Sequence, residues 1–215
     1  MPRRNRVTPL GEIIATPARG TLMGNRGCLH NRQQQIIRPY QIQRWIICQL
    51  QFKGWHRPIM KPGHYTELFF LDEATALAAG HRPCAECSRT RFEEFRLLWA
   101  RANAELAGEP RPRAGTIDNA LHRERLDAAQ EKMVYSEKLG ALPDGSFVLL
   151  ANDRQPYLVF RDFLLAWSPE GYHRRIILEA GLTVGVLTPR SIVNTLAQGY
   201  DASIHPSVLE IAPSA

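Results

Sequence analysis

The chain's most specific chemical signal is the pair Cys84 and Cys87 in HRPCAEC. Thiols in a Cys-x-x-Cys turn grip one tetrahedral metal ion as a chelate, and zinc is the usual occupant. A four-ligand site needs two more donors, and the candidates upstream are Cys28, His30 and Cys48. His30 follows a glycine-rich turn in MGNRGCLHN, which can present a side chain at a strand end. Cys28 shares its face of an extended segment, but Cys-x-His is shorter than the common ligand spacings. Cys48 sits on the apolar face of an alternating stretch and reads either as a small core residue or as a thiolate brought to a water-shielded metal. The expected ligand set is His30, Cys48, Cys84 and Cys87, with Cys28 as the alternative to Cys48. Four protein ligands make the ion structural, one Zn2+ per chain, with no position left for water.

A second constellation lies in IDNALHRERLD. Asp118, His122 and Arg125 fall on one helical stripe, with Glu124 beside it. A carboxylate four residues from an imidazole can orient it as a general base. The competing reading is a solvated, salt-bridged helix face. His173, next to two arginines, and His205, before a proline, stand in loops or turns without a recognisable spacing.

These side chains need elements to hold them. Arg44 to Phe52 alternates, with Ile46, Cys48, Leu50 and Phe52 on one face and Trp45, Ile47, Gln49 and Gln51 on the other, which predicts a strand. Leu68 to Leu71 predicts a short strand, and Asp72 caps a helix over Glu73 to Ala79 that Gly80 closes. The knuckle cysteines then occupy the turn before a helix starting at Arg89, with Ser88 as its N-cap, and running to about Leu106. GEPRPRAG is a linker, and Thr116 to Glu131 predicts a further helix. From Met133 strands return over Ser146 to Leu150, Tyr157 to Phe160, Phe163 to Trp167, Arg175 to Leu178 and Val184 to Leu187. Thr188-Pro189 opens a last helix that Gly199 closes. The expectation is an α+β fold: a β-rich zinc module over 1–106, a linker and connecting helix over 107–132, and a β-rich unit over 133–215 ending in a helix.

Charge is distributed unevenly over the 215 residues. Residues 1–66 hold eleven Lys/Arg and one acid, Glu12, for +10, whereas the remainder holds 16 basic and 20 acidic side chains, for −4. A one-sided basic segment favours a polyanion through phosphate contacts and counterion release. The phosphate-contact candidates are Arg26, Arg32, Arg38, Arg44, Arg57 and Lys61, with Tyr40 and Trp55 as stacking platforms. No apolar run approaches the roughly 18 residues of a membrane helix, and the basic N-terminal stretch lacks the continuous apolar core of a secretory signal. Four cysteines, two in Cys-x-x-Cys, suit a reducing cytoplasm and a metal better than a disulfide scaffold.

The stretch ELFFLDEATALAAGHRPCAEC resembles the metal-binding domain of the Ada DNA-alkylation-repair protein and the related zinc modules attached to some nucleases. The resemblance covers about residues 21–98 and is specific around the knuckle; MGNRGCLHN looks like the upstream ligand strand of the nuclease-associated version. It implies a zinc module beside nucleic acid. The family's first ligand pair is broken, since position 34 is Gln34, and a segment carrying Cys48 is inserted before the helix. In Ada a metal-bound thiolate of that pair accepts a methyl group, so the resemblance does not carry methyl transfer to this chain. The sequence thus predicts a zinc-stabilised nucleic-acid-binding protein, DNA being the expected partner. The alternative is an enzyme on a structural zinc scaffold, either hydrolase- or nuclease-like or using a thiolate as alkyl acceptor.

Overall fold

The computed structural model describes residues 1–54 and 58–211. The candidates Trp55 and Arg57 lie outside the described residues. The fold is α+β, with two six-stranded sheets and six helices among those residues.

The first sheet is built from β1 (Arg4–Val7), β2 (Ile13–Ala15), β3 (Leu22–Asn25), β4 (Ile46–Cys48), β5 (Leu68–Phe70) and β6 (Arg82–Pro83), in the order β2-β1-β5-β3-β4-β6. The expected strand over 44–52 is shorter than its alternation suggests. Only Ile46 to Cys48 pair, against β3 on one side and β6 on the other, and Leu50 is already exposed. Helix α1 (Glu73–Ala78) follows β5 as the sequence predicts. Asp72 accepts the Thr75 amide at 2.8 Å, and Gly80 takes the left-handed conformation (φ +86°) that ends it.

The long helix after the knuckle is two helices. α2 (Arg89–Ala102) stops at Asn103, whose side chain donates to the Trp99 carbonyl and across to Ser191, and α3 (Ala104–Ala107) continues to Gly108. Ser88 makes no side-chain cap. Helix α4 (Ala114–Arg125) ends six residues before the expected Glu131. Asp127 is the reason: its carboxylate accepts the amides of Ala129 and Glu131, making a turn that pairs Leu126 with Lys132.

The second sheet is antiparallel throughout, in the order β11-β10-β9-β8-β12-β7. It comprises β7 (Tyr135–Lys138), β8 (Phe147–Leu149), β9 (Pro156–Phe160), β10 (Phe163–Ser168), β11 (Gly171–Ile177) and β12 (Thr183–Val186). Helix α5 (Arg190–Ala197) starts after Pro189. The Thr188 hydroxyl does not cap it but accepts the Phe147 amide at 2.8 Å. A short α6 (Val208–Ile211) follows.

One apolar cluster runs through both sheets. It joins Val7, Leu68, Phe70 and Ala74 to Phe95 and Trp99 of α2 and to Phe147, Leu158, Leu165 and Trp167 of the second sheet. Polar ties reinforce it: Tyr172 donates to Asp72, Tyr200 to Glu73, and the Trp167 indole N–H to Thr75. No helix among the described residues is long and apolar enough to cross a membrane.

Candidate metal centre

Strand β4 runs parallel to β6, with Ile46 beside Arg82 and Ile47 beside Pro83. The Cys84 amide donates to the Ile47 carbonyl at 2.9 Å, so the next step of the same register brings Cys48 against Cys84. The knuckle turn then returns Cys87. The three sulfurs lie within 4.8 Å of one another, close enough to hold a metal ion. A tetrahedral ion with Zn–S bonds of about 2.3 Å needs sulfurs about 3.8 Å apart, so a small contraction completes the site. The Glu86 amide points at Cys84 Sγ, 3.4 Å away, and helps to hold the turn for negatively charged sulfur.

Hydrogen bonding among the thiols makes their titration collective. Cys84 is held down to about 2 by the hydrogen bond from Cys48 and then that from Cys87, whereas Cys48 is pushed up by its hydrogen bonds to Cys84 and Cys87 and then by burial. The Cys84 thiolate therefore accepts hydrogen bonds from neighbours that keep their protons, and a bound cation would displace those protons.

His30 is not part of this cluster. Its ring is buried, with Nδ1 2.6 Å from the Thr66 hydroxyl and Nε2 3.2 Å from the Lys61 carbonyl, so both nitrogens are taken up in tying two loops together. Cys28 is not within the cluster either. Its Sγ is 3.7 Å from the His30 carbonyl, but it lines the same cavity as the other three cysteines. That cavity is about 630 Å3, and Cys48, Cys84 and Cys87 line it together with Arg44 and the exposed His64. Three sulfurs leave a tetrahedral ion one further position, and the cavity gives access to it.

The general-base constellation is dispersed. Asp118 is buried in a bidentate ion pair with Arg82, Nε to Oδ1 at 3.0 Å and Nη2 to Oδ2 at 2.8 Å. Glu124 accepts both the amide and the hydroxyl of Ser191. His122 packs edge-on against Tyr40 with ring centroids 5.5 Å apart, and burial together with Arg125 lowers its pKa. Three neighbours in sequence serve three separate partners, so they do not form a catalytic group. His205 shares a hydrogen bond with Ser207, and His173 is exposed on β11.

Among the basic candidates, Arg32, Arg38, Arg44 and Lys61 are exposed. Arg26 is not: it is 1% exposed, and its guanidinium lies 3.9 Å from the Trp45 ring centroid. Tyr40 is no open platform, because its hydroxyl donates to Gln130 and its ring packs on Trp45 and His122. A feature not singled out from sequence is a groove of about 650 Å3 along the first sheet, with Arg3, Arg6 and Arg19 in its walls. The charge tally included them, but only the β1–β2 pairing shows that they converge.

Comparison with known proteins finds no matching family model, no matching curated protein and no matching solved structure.

Proposed function

We propose that this chain is a zinc-thiolate protein that binds nucleic acid. The observation that carries the reading is the convergence of Cys48, Cys84 and Cys87 in the lining of an open cavity. Zinc is the preferred ion because three thiolates make a soft donor set with a tetrahedral bite. The fourth ligand is supplied from the cavity side, by Cys28 or by an exchangeable group. With metal bound, β4 is fixed to the knuckle, and Arg44 beside it is presented on a rigid frame. Arg32, Arg38 and Lys61 extend that basic face, while Arg3, Arg6 and Arg19 line a second basic groove. Ordered cations on a fixed scaffold suit a phosphate backbone.

A second reading has one observation in its favour. Three protein ligands with an accessible fourth position are the arrangement of catalytic rather than closed zinc sites, and a zinc-bound thiolate keeps its nucleophilicity at neutral pH. A hydrolytic or alkyl-accepting enzyme would use the same cavity.

Fluorescence anisotropy of a labelled DNA duplex and single strand, titrated with the full chain at several salt concentrations, tests the primary reading. Affinity should fall steeply with salt. In the variant Arg32→Gln/Arg38→Gln/Arg44→Gln/Lys61→Gln the log–log slope should flatten by up to about one for each phosphate contact removed. A wild-type affinity that ignores salt, or a variant with an unchanged slope, contradicts nucleic-acid binding through this face.

A further inference from the structure

The side of β4 turned away from the thiolates carries a second unusual cluster. Trp45, just before the strand, is 2% exposed, and two guanidiniums lie over its indole: Arg26 at 3.9 Å and Arg125 at 4.6 Å from the ring centroid. Both arginines are buried, at 1% and 0% exposure. Arg26 donates through Nη1 to the Gly11 carbonyl (2.9 Å) and through Nε to His81 Nε2 (3.2 Å). Arg125 donates through Nε to the Gly80 carbonyl (2.6 Å) and through Nη1 to the Gln43 carbonyl (2.8 Å). Each retains one buried amino group, Nη2, with no hydrogen-bond partner. Lys132 joins them. Its ammonium donates to the Ala78 carbonyl at 2.5 Å and has further donors to spare. All three cations line a single cavity of about 440 Å3.

Every partner named for these cations is neutral. Among the described residues no carboxylate forms an ion pair with Arg26, Arg125 or Lys132. The nearby acids make their contacts elsewhere, Asp118 with Arg82 and Glu124 with Ser191, and offset the charge of Arg125 only from a distance. Glu12 and Glu131 line the same cavity but are exposed, as is Arg154. Burying positive charge without a counter-charge is costly, and a guanidinium donor left unsatisfied adds to that cost. The strain appears in the titration of the group: burial, then mutual repulsion, brings Arg26 down to about 9 and Lys132 down to about 7. His81 is likewise held neutral by burial and by Arg26 and Arg125. An anion in the cavity would supply the counter-charge that Arg26, Arg125 and Lys132 lack at contact distance.

We propose that this cavity binds a phosphate group, gripped by Nη2 of Arg26, Nη2 of Arg125 and the ammonium of Lys132. Three cations match a dianion better than a single carboxylate charge. Donors arriving from three separate segments suit a tetrahedral ion with an oxygen for each. The cavity is roomier than a bare ion requires, so the phosphate can be free or carried as a monoester on a small molecule. The site uses none of the cysteines, so it stands or falls separately from the thiolate centre and from backbone binding on the exposed basic face.

Isothermal titration of the full chain with inorganic phosphate, and with acetate at matched ionic strength in chloride, tests it. Wild type should bind phosphate saturably at one site, and acetate at least about tenfold more weakly. Lys132→Met should weaken phosphate by about tenfold or more, the loss of one charge-assisted contact, and Arg26→Met should abolish it. If Arg26→Met does not fold, Lys132→Met decides the question, because that residue is the least buried of the three. A parallel titration with glycerol phosphate distinguishes the sources: tighter binding than inorganic phosphate assigns the cavity to a monoester, weaker binding to the free ion. Absence of saturable phosphate binding, acetate binding as tight as phosphate, or an affinity unmoved in Lys132→Met overturns the proposal.

Discussion

Side chains of one type meet different fates in this chain according to what the backbone leaves beside them. Cys48 reaches Cys84 because β4 and β6 run in parallel register, whereas the Cys28 sulfur lies against the His30 carbonyl. His30 had the chemistry of a ligand, but Thr66 and Lys61 claim both of its nitrogens. Asp118 had the chemistry of a base orienter, but Arg82, next to the knuckle, takes it in a buried bidentate pair. That pair ties α4 to the knuckle turn and is structural. Asp118→Ala leaves a guanidinium that is 2% exposed without its counter-charge, and the expected cost is about 3–5 kcal/mol in urea-induced unfolding. A loss under about 1 kcal/mol would show that Asp118 is free for another task.

At the scale of elements, three-residue β4 carries more of the architecture than its length suggests. One flank leads to the thiolates, and Trp45 at its start floors the cation cavity. Its position depends on Gly24 of β3, which pairs with Ile47. A Cβ at Gly24 would sit 2.1 Å from the Ile46 carbonyl oxygen and 2.8 Å from the Phe70 ring, so the two strands cannot keep their spacing. Gly24→Ala is therefore expected to cost about 1–3 kcal/mol and to lower metal occupancy by displacing Cys48 from Cys84 and Cys87. Unchanged stability and metal content in that variant would contradict this role for β4.

The elements also show what could be read in advance. The capped α1 and the cysteine spacing were legible because capping, glycine stops and Cys-x-x-Cys turns are local. Strands β8 to β12 were legible through alternation and turn residues, with β11 (Gly171–Ile177) extending further toward the N-terminus than its pattern indicates, whereas β7 (Tyr135–Lys138) was not singled out. The early end of α4 was not, because Asp127 competes for backbone amides that an apolar periodicity cannot register. The β4–β6 pairing was not either, since parallel pairing over a long stretch of chain leaves no periodic trace. For the same reason Arg125 and Lys132, counted with a connecting helix, gave no sign that they would meet Arg26 from the basic N-terminal segment.

At the scale of the whole molecule, two sheets share one apolar core, and the buried start of α1 knits them. Asp72 accepts from Thr75, Tyr172 and the His205 amide, and Glu73 accepts from Tyr200 and pairs with Arg91. Positive charge is gathered in residues 1–66, and the balancing acids lie beyond them, more of them in the helical segment 67–132 than in the second sheet's segment. A metal at Cys48, Cys84 and Cys87 would join a strand of that basic segment to the knuckle, so its binding energy would appear as stability of the entire core. The most direct measurement is metal content per chain on protein purified without added metal or chelator, together with the melting temperature before and after chelation. One zinc per chain is expected, with a lower melting temperature once it is stripped and loss of the metal in Cys84→Ser. Metal-free wild-type protein that neither takes up added zinc nor gains stability from it would contradict the thiolate centre outright.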